Sequence, residues 1–168
     1  MAKKDYDWSS FTVRVNIKAS PQTIYNYWAT QENLEKWFLR LAEFKDSKGN
    51  LIHKKNKISK GDTYKWMWHG YGDEVVETGK ILKANGKNFL QFTFAGDCIV
   101  TVKIKKDKKE NILELKQENI PTDNIAKVNY HLGCQTGWTF YMANLKSLLQ
   151  GGIDLRNKNL KLQKMLNA

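Results

Sequence analysis

The residues of this chain best suited to metal or nucleophilic chemistry are His53, His69 and His131, with Cys98 and Cys134. The three scattered histidines give no local chelating pair and the cysteines no CxxC pairing, so no metal site is expected. Acid–base or covalent hydrolysis needs a nucleophile beside a matched base, or two carboxylates in different surroundings. No GxSxG, HExxH or phosphate-loop spacing occurs. Glu74 and Glu77 fall on a strand of mixed facing and read as solvated. The expectation is therefore no catalytic set, no metal and no cofactor. Both cysteines sit among apolar neighbours and read as reduced, buried small hydrophobes rather than a disulfide. Cys134, beside Gln135, would be reactive only if exposed.

A binding constellation is easier to assemble. Trp37, Trp66, Trp68, Tyr71, Phe92, Phe94, Trp138 and Tyr141 come from the second helix, three neighbouring strand regions and the last helix. Trp66 and Trp68 are two apart and share a strand face. Such a set suits a mostly apolar pocket with few polar anchors. His131 and Cys134 join it, because their spacing to Trp138 places them near one helical face, where a neutral imidazole can exchange one hydrogen bond with a ligand. His69, Gln135 and Asp97 are further polar candidates. The bland alternatives stand beside these readings: the aromatics would also serve as plain core, and the histidines as surface or turn residues.

The elements that must position these residues are legible from periodicity. Alternation from Phe11 to Ile17 predicts a first strand. Ser20-Pro21 caps a short helix running to about Ala29, and Thr30 caps a second, with Leu34, Trp37 and Phe38 on its buried side. A strand over 39–44 precedes a polar loop over 45–62, read as a surface loop or lid. Strands follow over 63–69, 74–83, 88–94, 99–105 and 112–117, linked by turns such as Ala84-Asn85-Gly86-Lys87 and Ala95-Gly96-Asp97. From about Asp123 a long amphipathic helix carries Tyr130, Cys134, Trp138, Tyr141, Leu145 and Leu148 and stops at Gly151-Gly152. Its apolar stripe must cover the concave face of the sheet. Leu155, Leu160, Leu162, Met165 and Leu166 give the tail a residual helical period.

The totals agree with one α+β domain over residues 1–152 and a tail over 153–168, marginally helical or an interaction arm. The 168 residues are 41% hydrophobic and 12% aromatic, too apolar for disorder. No apolar run reaches the ~20 residues of a membrane helix, and no signal peptide opens the chain, so a cytoplasmic location is expected. The net charge of +11 favours acidic partners. The lysines lie in loops and strand ends without a nucleic-acid-binding motif, so no specific nucleic acid is expected.

A strand, two short helices, a meander and a long last helix resembles the helix-grip fold of the START-like, or SRPBCC, superfamily, which includes the birch-pollen-allergen-like proteins. Ala19-Ser20-Pro21-Gln22-Thr23-Ile24-Tyr25 is similar to the start of that superfamily's first helix. The segment from Gly137-Trp138-Thr139-Phe140-Tyr141 to Gly151-Gly152, followed by Asp154-Leu155-Arg156, resembles the final helix of the family of homologues of the activator of the 90-kDa heat-shock-protein ATPase. The resemblance implies a curved antiparallel sheet of six or seven strands, two short helices after strand 1 and a long helix over the concave face. It also implies an apolar cavity for a small hydrophobic or lipid-like molecule. The alternatives are a co-chaperone-like module that contacts a chaperone or acidic protein, and a cyclase-like enzyme using His131 or Asp97.

Overall fold

The computed structural model describes residues 5–159, 161, 162 and 165. Its seven strands are β1 (Phe11–Ile17), β2 (Leu41–Lys45), β3 (Thr63–Met67), β4 (Glu77–Ala84), β5 (Phe89–Phe94), β6 (Cys98–Asp107) and β7 (Glu110–Glu118). They form one antiparallel sheet in the order β1-β7-β6-β5-β4-β3-β2. Strands β2 to β7 are a meander. The chain's first strand closes the far side, with Phe11 opposite Gln117 and Ile17 opposite Asn111. Inward positions of β5, β6 and β7 (Leu90, Phe92, Val100, Val102, Leu113, Leu115) are at most 2% exposed, while Lys103 and Lys105 of β6 face solvent. This is the half-buried pleat that alternation predicts.

Helices α1 (Pro21–Ala29) and α2 (Gln31–Trp37) begin as expected. The Ser20 and Thr30 side chains accept hydrogen bonds from the Thr23 and Asn33 amides. The strand expected over 39–44 starts at Leu41, and the one expected over 74–83 starts at Glu77. The 45–62 loop is not a lid. Ile58 is buried and its amide donates to the Ala29 carbonyl, which fixes the loop against the end of α1.

The last helical segment departs from a single α-helix. A short turn, α3 (Asn124–Ala126), capped by Asp123, runs into a π-helical stretch, Lys127–Gly133, and then into α4 (Cys134–Leu149). The wider i→i+5 turns of a π-helix rotate everything before Gly133 relative to α4. Helical spacing counted back from Trp138 therefore fails there. At the other end, Gly151 takes φ +82°, its amide donates to the Leu148 carbonyl, and the Gly152 amide donates to the Ser147 carbonyl. That is a Schellman stop, as the glycine pair implied.

Beyond the stop, residues 152–159 carry no helix and turn back onto α2. Leu160 and Leu166, part of the period read in the tail, lie outside the described residues. Arg156, 6% exposed, donates to the carbonyls of Glu35, Lys36 and Leu39 and to both Asp154 carboxylate oxygens. Buried Asn144 of α4 donates to the Trp37 carbonyl and to Asp154, and accepts from the Leu155 amide. The Leu34 carbonyl accepts from the Phe38 and Leu39 amides. The four carbonyls that the last turn of α2 would leave without partners are thus all satisfied.

Burial works against ionisation of Asp154. Hydrogen bonds from Arg156 and Lys158 outweigh it and hold the carboxyl well below its usual range. A carboxyl lowered by folding contributes stability that is complete above its unfolded pKa, about 3.9, and is lost as pH falls below that value. Urea titrations should show Asp154→Asn with a flatter loss of stability below pH 4 than the parent chain. An equally steep loss would contradict the assignment. Arg156→Ala should cost about 3–5 kcal/mol, the usual penalty for breaking a buried ion pair.

Candidate functional site

Between the β3 end of the sheet and the start of α4 lies a cleft of about 250 Å³. Its lining comes from four places. Phe38 projects from the end of α2, and Trp68, Tyr71 and Val75 from the β3–β4 connection. Phe94 closes β5, and Asn129, Gly133, Cys134, Gly137, Trp138 and Tyr141 lie along the π stretch and α4. No charged side chain lines it. The rings are mutually packed, with Phe38 and Trp138 centroids 5.1 Å apart, Phe94 and Trp138 5.1 Å, and Phe38 and Tyr141 4.9 Å. Tyr71 and Val75 are each 37% exposed and mark the mouth. The loop that carries them is tied down by Arg40, which reaches Asp73 at 2.7 Å and the Trp68 carbonyl at 3.3 Å.

Of the residues singled out in the sequence, the structure brings Trp68, Tyr71, Phe94, Cys134, Trp138 and Tyr141 together around this cleft. Trp37, Trp66 and Phe92 lie in the core behind it. Trp37 is fully buried against Trp28 and donates its indole N–H to the Tyr27 carbonyl. Trp66 stacks on Tyr64 at 3.9 Å, with Phe92 against its face. Trp66 and Trp68 do share a side of the sheet, but β3 ends at Met67 and only Trp68 reaches the cleft.

His131 is not a cleft residue. It is fully buried against β1, its Nδ1 within hydrogen-bond distance of the Trp8 carbonyl and its Nε2 within that of the Tyr6 hydroxyl, each at 2.9 Å. Tyr6, Trp8 and Phe11 pack around the ring edge-on. The π turn has rotated it off the face of Trp138, and it fastens the segment before β1 instead. Asp97 is exposed in the β5–β6 turn, and neither it nor Gln135 lines the cleft. His69 sits half-buried outside the lining. Burial lowers its pKa, and the charges of Arg156, Lys158 and Arg40 lower it further, so the ring is neutral at pH 7.

Sequence reasoning missed several members. Phe38 was placed only on a buried helix side, and Gly133 and Gly137 were passed over, although their four-residue spacing puts two side-chain-free positions on neighbouring turns. Glu77 is a correction of another kind: it is inward-facing, not solvated. Glu77, Gly79 and Ile81 alternate toward the concave side, and Glu77 accepts a 2.8 Å hydrogen bond from the Ala95 amide. Burial pushes the Glu77 carboxyl up, against that hydrogen bond. It braces the turn where Ala95 holds φ +52°, a strained value for a residue with a Cβ.

Gln117, fully buried, organises the back wall. It accepts from the Trp138 indole at 3.0 Å and donates to the Tyr130 carbonyl of the π stretch at 3.3 Å. Burial pushes the Cys134 thiol up to about 11, against a hydrogen bond with Gln117, and the Cys98 thiol is raised for the same reason. Both cysteines are free. Cys134 is accordingly a neutral, polarisable wall atom. No group of three or more side chains able to hold a metal ion occurs among the described residues.

The sequence matches the family described as Activator of Hsp90 ATPase homolog 1-like protein over residues 18–150. No curated protein matches. Solved structures with a similar fold include a protein from Staphylococcus saprophyticus, 14% identical over 88% of this chain and 96% of the other, with a TM-score of 0.67. The Aha1 dimer from Colwellia psychrerythraea is 18% identical over 85% and 97%, with a TM-score of 0.64. CalU16 from Micromonospora echinospora is 13% identical over 87% and 77%, with a TM-score of 0.60.

Raising the Cys134 thiol from 9.0 to about 11 leaves roughly a hundredfold less thiolate at pH 8. Iodoacetamide should alkylate Cys134 on the order of a hundredfold more slowly in the folded protein than in urea. Equal rates would contradict the placement.

Proposed function

The chain belongs to the family of Activator of Hsp90 ATPase homolog 1-like proteins, and on that premise we propose that it binds a small, uncharged, apolar molecule in the aromatic cleft. The observation that carries this reading is the lining itself. Six aromatic side chains meet around about 250 Å³ of space with no charged side chain among them. Packed interiors keep few voids larger than a water molecule. A clean apolar hollow open at one side is what a ligand of this class requires.

The glycines support it. Gly137 lies inside α4, where glycine costs roughly 0.5–1 kcal/mol relative to alanine, and it faces the cleft. A position that weakens the helix while leaving room over the cleft is explained by what must fit there. Two free thiols, and no described helix long and apolar enough to cross a membrane, suit the cytoplasmic setting we assign.

A second reading, a module that docks another protein, draws on Ile125, Val128 and Leu132. They are 74%, 60% and 46% exposed, on α3 and on the π stretch whose Asn129 and Gly133 line the cleft. The two readings separate cleanly. N-phenyl-1-naphthylamine, a neutral fluorescent probe, should bind one per chain with a blue shift. Gly137→Leu should fill the cleft and weaken that binding at least about tenfold, with no loss of thermal stability because the helix gains a better former. Val128→Ser with Leu132→Ser should leave probe affinity unchanged. Probe binding that survives Gly137→Leu but is lost in the Val128 and Leu132 variant would sink the cleft reading.

A further inference from the structure

Two lysine-rich stretches, residues 54–60 and 103–109, take no part in the cleft. The structure gathers both at the opposite end of the sheet. The cleft takes Phe94 from the end of β5 and Trp68 from just beyond β3. At the other end lie the β4–β5 turn with Lys87, the β6–β7 turn with Lys106, Lys108 and Lys109, and the loop after β2 with Lys54, Lys55 and Lys57, every one of them exposed.

Contacts with α1 hold these segments together. The Lys57 ammonium lies over the Tyr25 ring, 5.9 Å from its centroid, and the Tyr25 hydroxyl accepts from the Gly86 amide at 3.1 Å. Gln22 donates to the Gly86 carbonyl at 3.2 Å. Asn111, at the start of β7, donates to the Ala19 carbonyl at 2.7 Å, just before α1. Lysines far apart in sequence thus share one surface. None of them forms an ion pair, and residues 54–60, 85–88 and 106–111 contain no acids besides Asp107 and Glu110. The surface is strongly positive and calls for an anionic partner.

The side chains select among anionic partners. The chain's arginines, Arg14, Arg40 and Arg156, are all in ion pairs, so this end offers ammonium groups without the planar forks that grip single phosphates or carboxylates. No exposed aromatic side chain stands among these lysines for a nucleic-acid base to stack on, since Tyr25 is buried. Leu51, by contrast, is 65% exposed in the loop between Lys48 and Lys54, and its bridge to Lys45 holds it at the end of β2. An exposed leucine among lysines suits a bilayer boundary, where the apolar side chain meets the acyl region and the ammonium groups meet headgroup phosphates.

We propose that this end of the molecule docks on an anionic phospholipid surface, with the lysines against the headgroups and Leu51 at the acyl boundary. Docked so, the molecule turns its cleft away from the bilayer. Each lysine near such a surface is worth roughly fivefold in affinity, and salt screens the attraction.

Sedimentation of the full chain with sucrose-loaded vesicles tests the docking. Vesicles of equal parts phosphatidylcholine and phosphatidylserine should carry the protein down, vesicles of phosphatidylcholine alone should not, and raising salt from ~0.1 M to ~0.5 M should release it. Lys106→Glu with Lys109→Glu should weaken binding at least about twenty-five-fold. Lys36→Glu with Lys65→Glu, an equal change in net charge at exposed positions away from this end, should weaken it far less. Leu51→Ser should weaken it severalfold, and thermal melts of all these variants should match the parent. Equal losses from the two lysine pairs would reduce the effect to net charge and overturn the docking surface. So would unchanged binding on Leu51→Ser, or capture by duplex DNA or polyglutamate but not by the anionic vesicles. None of these outcomes bears on probe binding in the cleft.

Discussion

The buried C-terminal end of α2 is the constraint on which the site depends. A short helix that ends inside a protein carries carbonyls that water cannot reach, and leaving them without donors would cost more than the helix could recover by packing. Here Arg156 and Asn144 supply the donors from beyond and within α4. The same contacts fix the residues that follow. Trp37 is held in the core, and Phe38 is delivered to the floor of the cleft between Trp138 and Trp66. A single guanidinium therefore joins the chain's last described segment to the geometry of its aromatic centre.

Around that anchor the aromatic side chains divide into two layers. Trp28, Trp37, Tyr64, Trp66 and Phe92 fill the space between helices and sheet, each at most 3% exposed. Phe38, Trp68, Phe94, Trp138 and Tyr141 form the second layer, which lines the cleft. The division follows from backbone choices. Gly79 lets the Tyr64 ring lie across β4, where an added Cβ would come within 2.5 Å of it, and that seats Trp66 deep. Gly133 and Gly137 keep the opposite wall low. The result is an interior dense in one layer and open in the next.

Most of the fold was legible because it rests on local chemistry. The Phe11–Ile17 alternation, the Ser20-Pro21 and Thr30 helix starts and the Gly151-Gly152 stop all act through their own neighbours, and the structure places them where the residue types dictate. The fold family was legible too, since the Gly137–Gly152 segment carries its likeness. What escaped depends on partners far away in sequence or on a choice among similar hydrogen bonds. Nothing in Lys127–Gly133 distinguishes i→i+5 from i→i+4 turns, so His131 was placed on the wrong face. The pairing of Arg156 with carbonyls of α2 spans most of the chain. The split between Trp66 in the core and Trp68 in the cleft turns on β3 ending one residue between them. Glu77 is the exception: its two- and four-residue spacing to Gly79 and Ile81 already pointed it inward.

The central claim is that ligand binding happens between the sheet and α4, not on the exposed apolar turns beside it. Isotope-filtered nuclear Overhauser spectra of the labelled protein with a bound neutral aromatic probe test it most directly. Contacts from probe protons to the rings of Phe94, Trp138 and Tyr141 are the result expected. Contacts confined to Ile125, Val128 and Leu132 would contradict it.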